Sequence, residues 1–182
     1  FKAQAESVVS EVVKADYQIS AAQVFVSPGI PTGLSDELIA LDEVTKLSRS
    51  RATIVGFEDR PLILGAVDED IFDLIKTENI AGSKEEFLKP NAMGVLKQKA
   101  ERDNLAIGDE IALTIPEEGK RTFTIEYIFD WTTPPPAEFF LLLENYAFFS
   151  EESLDTEIYF NVKEKNEETQ AKLDRIVSDY PG

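Results

Sequence analysis

The spacing of apolar residues changes several times along the chain. Over residues 1–14, Ala5, Val8, Val9, Val12 and Val13 recur at i, i+3, i+4, i+7 and i+8. Lys2, Glu6, Ser10, Glu11 and Lys14 fill the opposite side. That period predicts an amphipathic helix over residues 1–15. From Tyr17 the period drops to two. Tyr17, Ile19 and Ala21 alternate with polar neighbours, and a strand is expected to Val26. The run Ser27-Pro28-Gly29-Ile30-Pro31-Thr32-Gly33 breaks it. Ser35 then reads as a helix N-cap, with Asp36 and Glu37 in the first turn. Leu34, Leu38, Leu41 and Val44 form a core-facing stripe on that helix, and a strand near 51–57 follows.

The middle of the chain is patterned differently. Pro61 to Val67 is a short apolar strand, and Asp68 is positioned to cap a brief helix holding Ile71, Phe72 and Ile75. A turn is expected at Ala81-Gly82-Ser83. Met93 to Leu96 predicts a strand, Gln98 to Asn104 a helix, and Ile111 to Ile115 another strand. Glu117-Glu118-Gly119-Lys120 is a hairpin signal, and Phe123, Ile125, Tyr127 and Phe129 alternate along the returning strand. Trp131-Thr132-Thr133-Pro134-Pro135-Pro136 predicts a stiff, polyproline-like stretch. Beyond it come a buried strand at 138–143, one helical turn at 145–149 and a strand at 157–162. A closing helix has Asn166 as its cap, Glu167 and Glu168 in its first turn, and Leu173, Ile176, Val177 and Tyr180 on its apolar face.

The order is β-α-β at the front and β-β-α at the back, around a mixed middle. This predicts an α+β fold: a split ferredoxin-like, porter-type lobe with an inserted small mixed α/β satellite lobe. The larger lobe is expected from residues 1–60 and 131–182, led by the helix at 1–15. The inserted lobe is expected from 61–130.

Composition changes the picture mainly by subtraction. The 182 residues are 43% hydrophobic and 29% charged, a globular balance. No stretch approaches the roughly 20 apolar residues of a membrane span, and no signal peptide is visible. The abrupt start at Phe1 and stop at Gly182 read as those of an excised segment. It has 35 acidic and 18 basic side chains, and its formal charge of −17 repels phosphate. Nucleic acid is not an expected partner. With no Cys there are no thiol nucleophiles or disulfides. With no His, Ser-His-Asp and Cys-His catalysis and His-ligated zinc drop out as well.

The remaining chemistry is carboxylate chemistry. Acid groups occur at Asp68-Glu69-Asp70, Glu85-Glu86, Glu117-Glu118, Glu151-Glu152 and Glu167-Glu168. They lie in turns and helix starts, where the helix dipole favours them. Asp68 to Asp70 carries oxygen ligands suited to Ca²⁺, but no EF-hand loop surrounds it. No phosphate-binding glycine motif is present. No catalytic residue, cofactor or metal ligand is assigned.

Several stretches resemble the extracytoplasmic domain of MacB/FtsX-type ABC transporter permeases. Met93-Gly94-Val95-Leu96, Ala100 and Leu105-Ala106-Ile107-Gly108-Asp109-Glu110-Ile111-Ala112-Leu113 are similar to a strand, a helix and an L-x-(V/I)-G-D-x-(V/I)-x-L landmark. Phe123 to Phe129 resembles the strand that follows it. Gly65-Ala66-Val67-Asp68 and Ile80-Ala81-Gly82-Ser83 resemble two upstream landmarks, and Glu157 to Lys163 with the closing helix resembles the family's ending. Of the Gly-Asp pair, Gly108 suits a positive φ and Asp109 suits bonding the turn's own amides, so a structural role accounts for both.

The resemblance implies a membrane-anchored domain on the outer face of a bacterial cell membrane. Its implied partners are the transmembrane helices of the same permease, a cytoplasmic ABC ATPase, and an extracellular accessory protein or substrate, in a dimeric permease. The helix at 1–15 would be a stalk, part-exposed along Val8, Val9, Val12 and Val13, and both chain ends would face the membrane. Trp131, Pro134, Pro135 and Pro136 match no landmark of the family and are the candidate partner contact, as an exposed aromatic beside a stiff proline run. The rival reading is a ligand-binding or sensory ectodomain of a non-transporter surface protein, and flanking membrane helices discriminate the two.

Overall fold

Strands dominate wherever the sequence alternates. The computed structural model describes residues 6–7, 13–21, 29–132, 137–149 and 154–180. They divide into two compact units: residues 1–51, 70–76 and 151–182, and residues 52–69 and 77–150. These boundaries differ from those expected at 60/61 and 130/131. The segment after Trp131 falls in the second unit because Phe139–Leu142 pairs with strands there.

In the first unit, β1 (Glu6–Ser7) pairs antiparallel with β2 (Tyr17–Ser20). Helix α1 (Thr32–Ile39) leads to β3 (Val44–Phe57). Strand β10 (Glu157–Val162) lies between β2 and the first half of β3, antiparallel to both. Ile158, Phe160 and Val162 project from β10 towards α1 and α5 (Glu167–Ser178). There they join Tyr17, Ile19, Leu34, Leu38, Leu173 and Val177, and Tyr17 stacks on Phe160 at 5.3 Å. Helix α5 begins as its sequence dictates, with the Asn166 side chain accepting from the Thr169 amide. The short helix α2 (Ile71–Leu74) also belongs to this unit.

The second unit contains the rest of β3, β4 (Arg60–Val67), β5 (Thr77–Gly82), β6 (Ala92–Leu96), β7 (Glu110–Ile115), β8 (Gly119–Trp131) and β9 (Phe139–Leu142). Its helices are α3 (Lys84–Phe87) and α4 (Lys97–Asp103), followed by 3₁₀ turns at Leu143–Asn145 and Ala147–Phe149. Hydrogen-bonded neighbours run β3-β4-β9-β6-β8, with β5 on the far edge of β8. Strand β7 pairs β8 and also touches β3, so the path β3-β4-β9-β6-β8-β7 returns to β3. Alternate side chains from these strands fill the interior, among them Val55, Leu64, Met93, Val95, Ile111, Leu113, Phe123, Ile125, Phe139 and Leu141. A ring of this kind hides edges that an open sheet would expose.

The fold is thus mixed α/β, with extensive sheet and few, short helices. Four local expectations are corrected. Glu6–Ser7 is strand rather than helix, and Val13 makes an antiparallel bridge with Ile75. At Val13, a β-branched residue that suits an extended backbone, pairing outweighs the 3.6-residue spacing. Val13 is half-buried, whereas Val8, Val9, Val12 and both chain ends lie outside the described residues. Ser35 is not a cap: α1 starts three residues earlier, and Ser35 is fully buried inside it. Asp70, not Asp68, precedes α2, and it caps without a side-chain bond. Thr77–Gly82 is a strand where only a turn was expected, and the Ser83 side chain then caps α3 by accepting from the Glu86 amide.

Candidate functional site

Trp131 ends β8 opposite Thr77, packs its ring 5.7 Å from Phe140 and is only 4% exposed. The exposed aromatic contact expected there is therefore corrected to a packing role. The strand continues through Trp131 because β5 pairs with it, instead of stopping in a polyproline stretch. Pro134, Pro135 and Pro136 lie outside the described residues.

The Gly108-Asp109 landmark is a turn built as its residues suggest. Gly108 has φ 89°, and Asp109 Oδ2 accepts the Ala106 amide at 2.8 Å. Gly108 N–H donates to the Ile125 carbonyl, and Ile125 N–H donates to the Asp109 carbonyl. Two residues of one strand thus oppose one of the other, a bulge whose first position needs the left-handed conformation of glycine.

Two polar clusters are held by several elements. In the first unit, Asp155 is fully buried. It accepts from Arg51 Nε at 2.7 Å, and Ser35 Oγ lies 2.7 Å from its other oxygen. Burial pushes this carboxyl up, while the bonds from Arg51 and Ser35 pull it down. Its backbone pairs with Ile30 in both directions. Through these buried side chains the cluster ties α1, β3 and the approach to β10 together.

In the second unit, Lys99 is buried over the rings of Phe57 and Phe139, 5.5 and 5.1 Å from their centroids. It bonds Asp103 at 2.6 Å, an i,i+4 pair visible in the sequence. Arg102 meets both oxygens of Glu138, at 2.7 and 2.9 Å, and this bond holds the Glu138 carboxyl below its usual range. Sequence reasoning passed over Asp155, because nothing in its neighbours marks it as buried.

The polar side of the first unit's sheet carries another titratable group. Glu157 accepts from the Tyr159 hydroxyl at 2.6 Å, and burial pushes its carboxyl up. It stands opposite Ser50, whose buried Oγ has no hydrogen-bond partner.

A cleft of about 680 Å³ opens in the second unit. The Phe57-Glu58-Asp59 turn forms one wall, and Leu105, the Asp109–Ala112 segment, Thr114 and Lys120 form the other. Its volume is that of a ligand cleft, roughly 300–1,000 Å³. Glu58 and Asp59 both have positive φ, 48° and 62°, a conformation usually left to Asn and Gly. The Asp68-Glu69-Asp70 run forms no ligand set: Lys46 lies 3.6 Å from Asp70 and also pairs with Asp73. Among the described residues no three acids gather to hold a metal ion, and no helix is long and apolar enough to cross a membrane.

The chain belongs to the class of mixed α/β domains with extensive sheet and few helices, and solved structures share this fold. A permease domain from Porphyromonas gingivalis aligns over 94% of this chain and 78% of its own, with a TM-score of 0.56 and 15% identity. The periplasmic region of MacB from Actinobacillus actinomycetemcomitans aligns over 83% and 74%, at 0.57 and 9% identity. The extracellular domain of the noncanonical ABC-type transporter YknZ from Gram-positive bacteria aligns over 84% of each chain, at 0.57 and 11% identity. The chain has the fold of these permease and transporter domains. No protein-family model matches the sequence, and no curated protein matches it by sequence.

Proposed function

We propose that the chain is the non-catalytic extracytoplasmic domain of an ABC transporter permease, anchored at the outer face of a bacterial membrane. The observation that carries this reading is a fold shared, over 83–94% of the chain, with a permease domain, the periplasmic region of MacB and the extracellular domain of YknZ. The sequence landmarks around Gly108-Asp109 and Gly82-Ser83 support it, since the first forms the turn into β7 and the second ends β5 and caps α3. Strand order β2-β10-β3, with α1 joining the two outer strands, supports reading the first unit as the split ferredoxin-like lobe and the second as the inserted one. The partners that follow are membrane helices of the same polypeptide, a cytoplasmic ATPase, a second permease copy, and an external accessory protein or substrate.

In this role the domain carries movement between the membrane helices and what lies outside. It needs rigidity rather than a reactive group, and the buried Arg51–Asp155–Ser35 tie supplies it within one unit. The absence of cysteine in this chain offers a direct test. Ile54 and Ile39 are 54% and 53% exposed. Either is replaced by Cys in the full-length polypeptide, with any other cysteines removed. A membrane-impermeant maleimide should label both variants in intact cells. Labelling only after lysis contradicts the assignment.

A further inference from the structure

The ring of strands in the second unit has one weak seam. Where β7 meets β3, a single residue pair, Gly56 with Thr114, closes it, whereas β7 and β8 share six pairs and β6 and β8 share five. The approach is tight at that pair, since a Cβ on Gly56 would lie 3.1 Å from the Thr114 Cβ. Beyond it the strands part, and the 680 Å³ cleft fills the gap.

The register determines which backbone groups face this gap. Asp109 bonds Ile125, so by the two-residue period Ile111 and Leu113 bond β8 as well. The N–H and C=O groups of Glu110, Ala112 and Thr114 therefore point away from β8. Those of Thr114 meet Gly56, and those of Glu110 and Ala112 have no strand partner among the described residues. A short length of free strand edge thus forms one wall of a cleft whose apolar surface comes from Phe57, Leu105 and Ile111.

We propose that this seam is a docking site for an extended cationic peptide segment of a partner protein, which adds to the edge of β7. Charge selects the occupant. Glu58, Asp59, Asp109 and Glu110 line the cleft against one cation, Lys120. On a chain of net charge −17, those carboxylates repel a second copy of the same edge, and they attract lysine or arginine side chains flanking a paired strand. The backbone gap supplies two residues' worth of main-chain bonding, and the apolar wall takes an aliphatic side chain between the charges. This inference is independent of the permease reading.

The test uses the 182-residue chain and two synthetic peptides, one alternating Lys and Val, the other Glu and Val, with spermine as a non-peptide polycation. Amide chemical shifts and hydrogen exchange are followed by NMR. The Lys peptide should move and protect the amides of Glu110 and Ala112. Asp59→Lys combined with Glu110→Lys, both exposed positions, should weaken binding roughly tenfold or more, as expected for several reversed surface charge pairs. Separately, Ala112→Pro removes an outward N–H. If that variant does not fold, the protection pattern with the parent chain still decides the matter. Equal binding of the two peptides, shifts confined to other edges such as β5, or the same Ala112 protection with spermine alone would each overturn the proposal, as would no binding by the Lys peptide.

Discussion

Asp155 shows how much one buried carboxylate can organise. Arg51 and Ser35 come from different elements and meet only on its oxygens, at 2.7 Å each. Removing one partner leaves a buried charge unpaired, which costs about 3–5 kcal/mol. Arg51→Ala should therefore lower the unfolding free energy by that order, and urea denaturation measures it. A loss under about 1 kcal/mol would mean that water reaches Asp155. Glu157 predicts a pH effect with a definite sign. Its folded pKa is raised by burial, so its contribution to stability is complete below the unfolded carboxylate value and is lost as pH rises through the folded one. Glu157→Gln should thus be more stable than the parent at pH 8 and no more stable at pH 4. Melting curves at the two pH values check this, and an equal gain at both would remove the titration from the explanation. Neither residue stands out in the sequence. Ser35 is a good cap by type, and it becomes a buried ligand only because Asp155, 120 residues away, reaches it.

Strands and helices with their own local signals were legible from spacing alone. The hairpin of β7 and β8, the Asn166-capped α5 and the Gly108-Asp109 turn each follow from neighbours in sequence. Elements fixed by distant partners were not. The first residues have a helical period, yet Glu6–Ser7 pairs with β2. Trp131 lies beside prolines, yet β5 holds it in strand. β5 itself is polar and largely exposed, so it shows little apolar alternation, and pairing with β8 is what makes it a strand. Two glycines separate conformation from crowding. Gly82 has φ 72°, and a Cβ there would lie 2.1 Å from the Glu126 carbonyl oxygen. Gly108 has φ 89° with nothing within 4 Å. Gly108→Ala should cost only the left-handed conformation, about 1–2 kcal/mol. Gly82→Ala must also displace backbone, so its cost should reach about 3–5 kcal/mol. Equal losses in chemical denaturation would show that the β5–β8 edge yields freely.

Taken whole, the chain is an acidic protein with a buried core in each unit and no histidine or cysteine, and it has the fold of external transporter domains. In the proposed role such a domain works by being moved. Cores packed at crystal-like density transmit displacement instead of absorbing it, so binding on one side of the membrane should register on the other. Hydrogen exchange on the full-length polypeptide with its ATPase, in nanodiscs, tests this directly. The account predicts that a non-hydrolysable ATP analogue, bound on the cytoplasmic side, changes exchange rates within residues 1–182. Unchanged exchange throughout these residues, with the ATPase shown to be saturated, would contradict it.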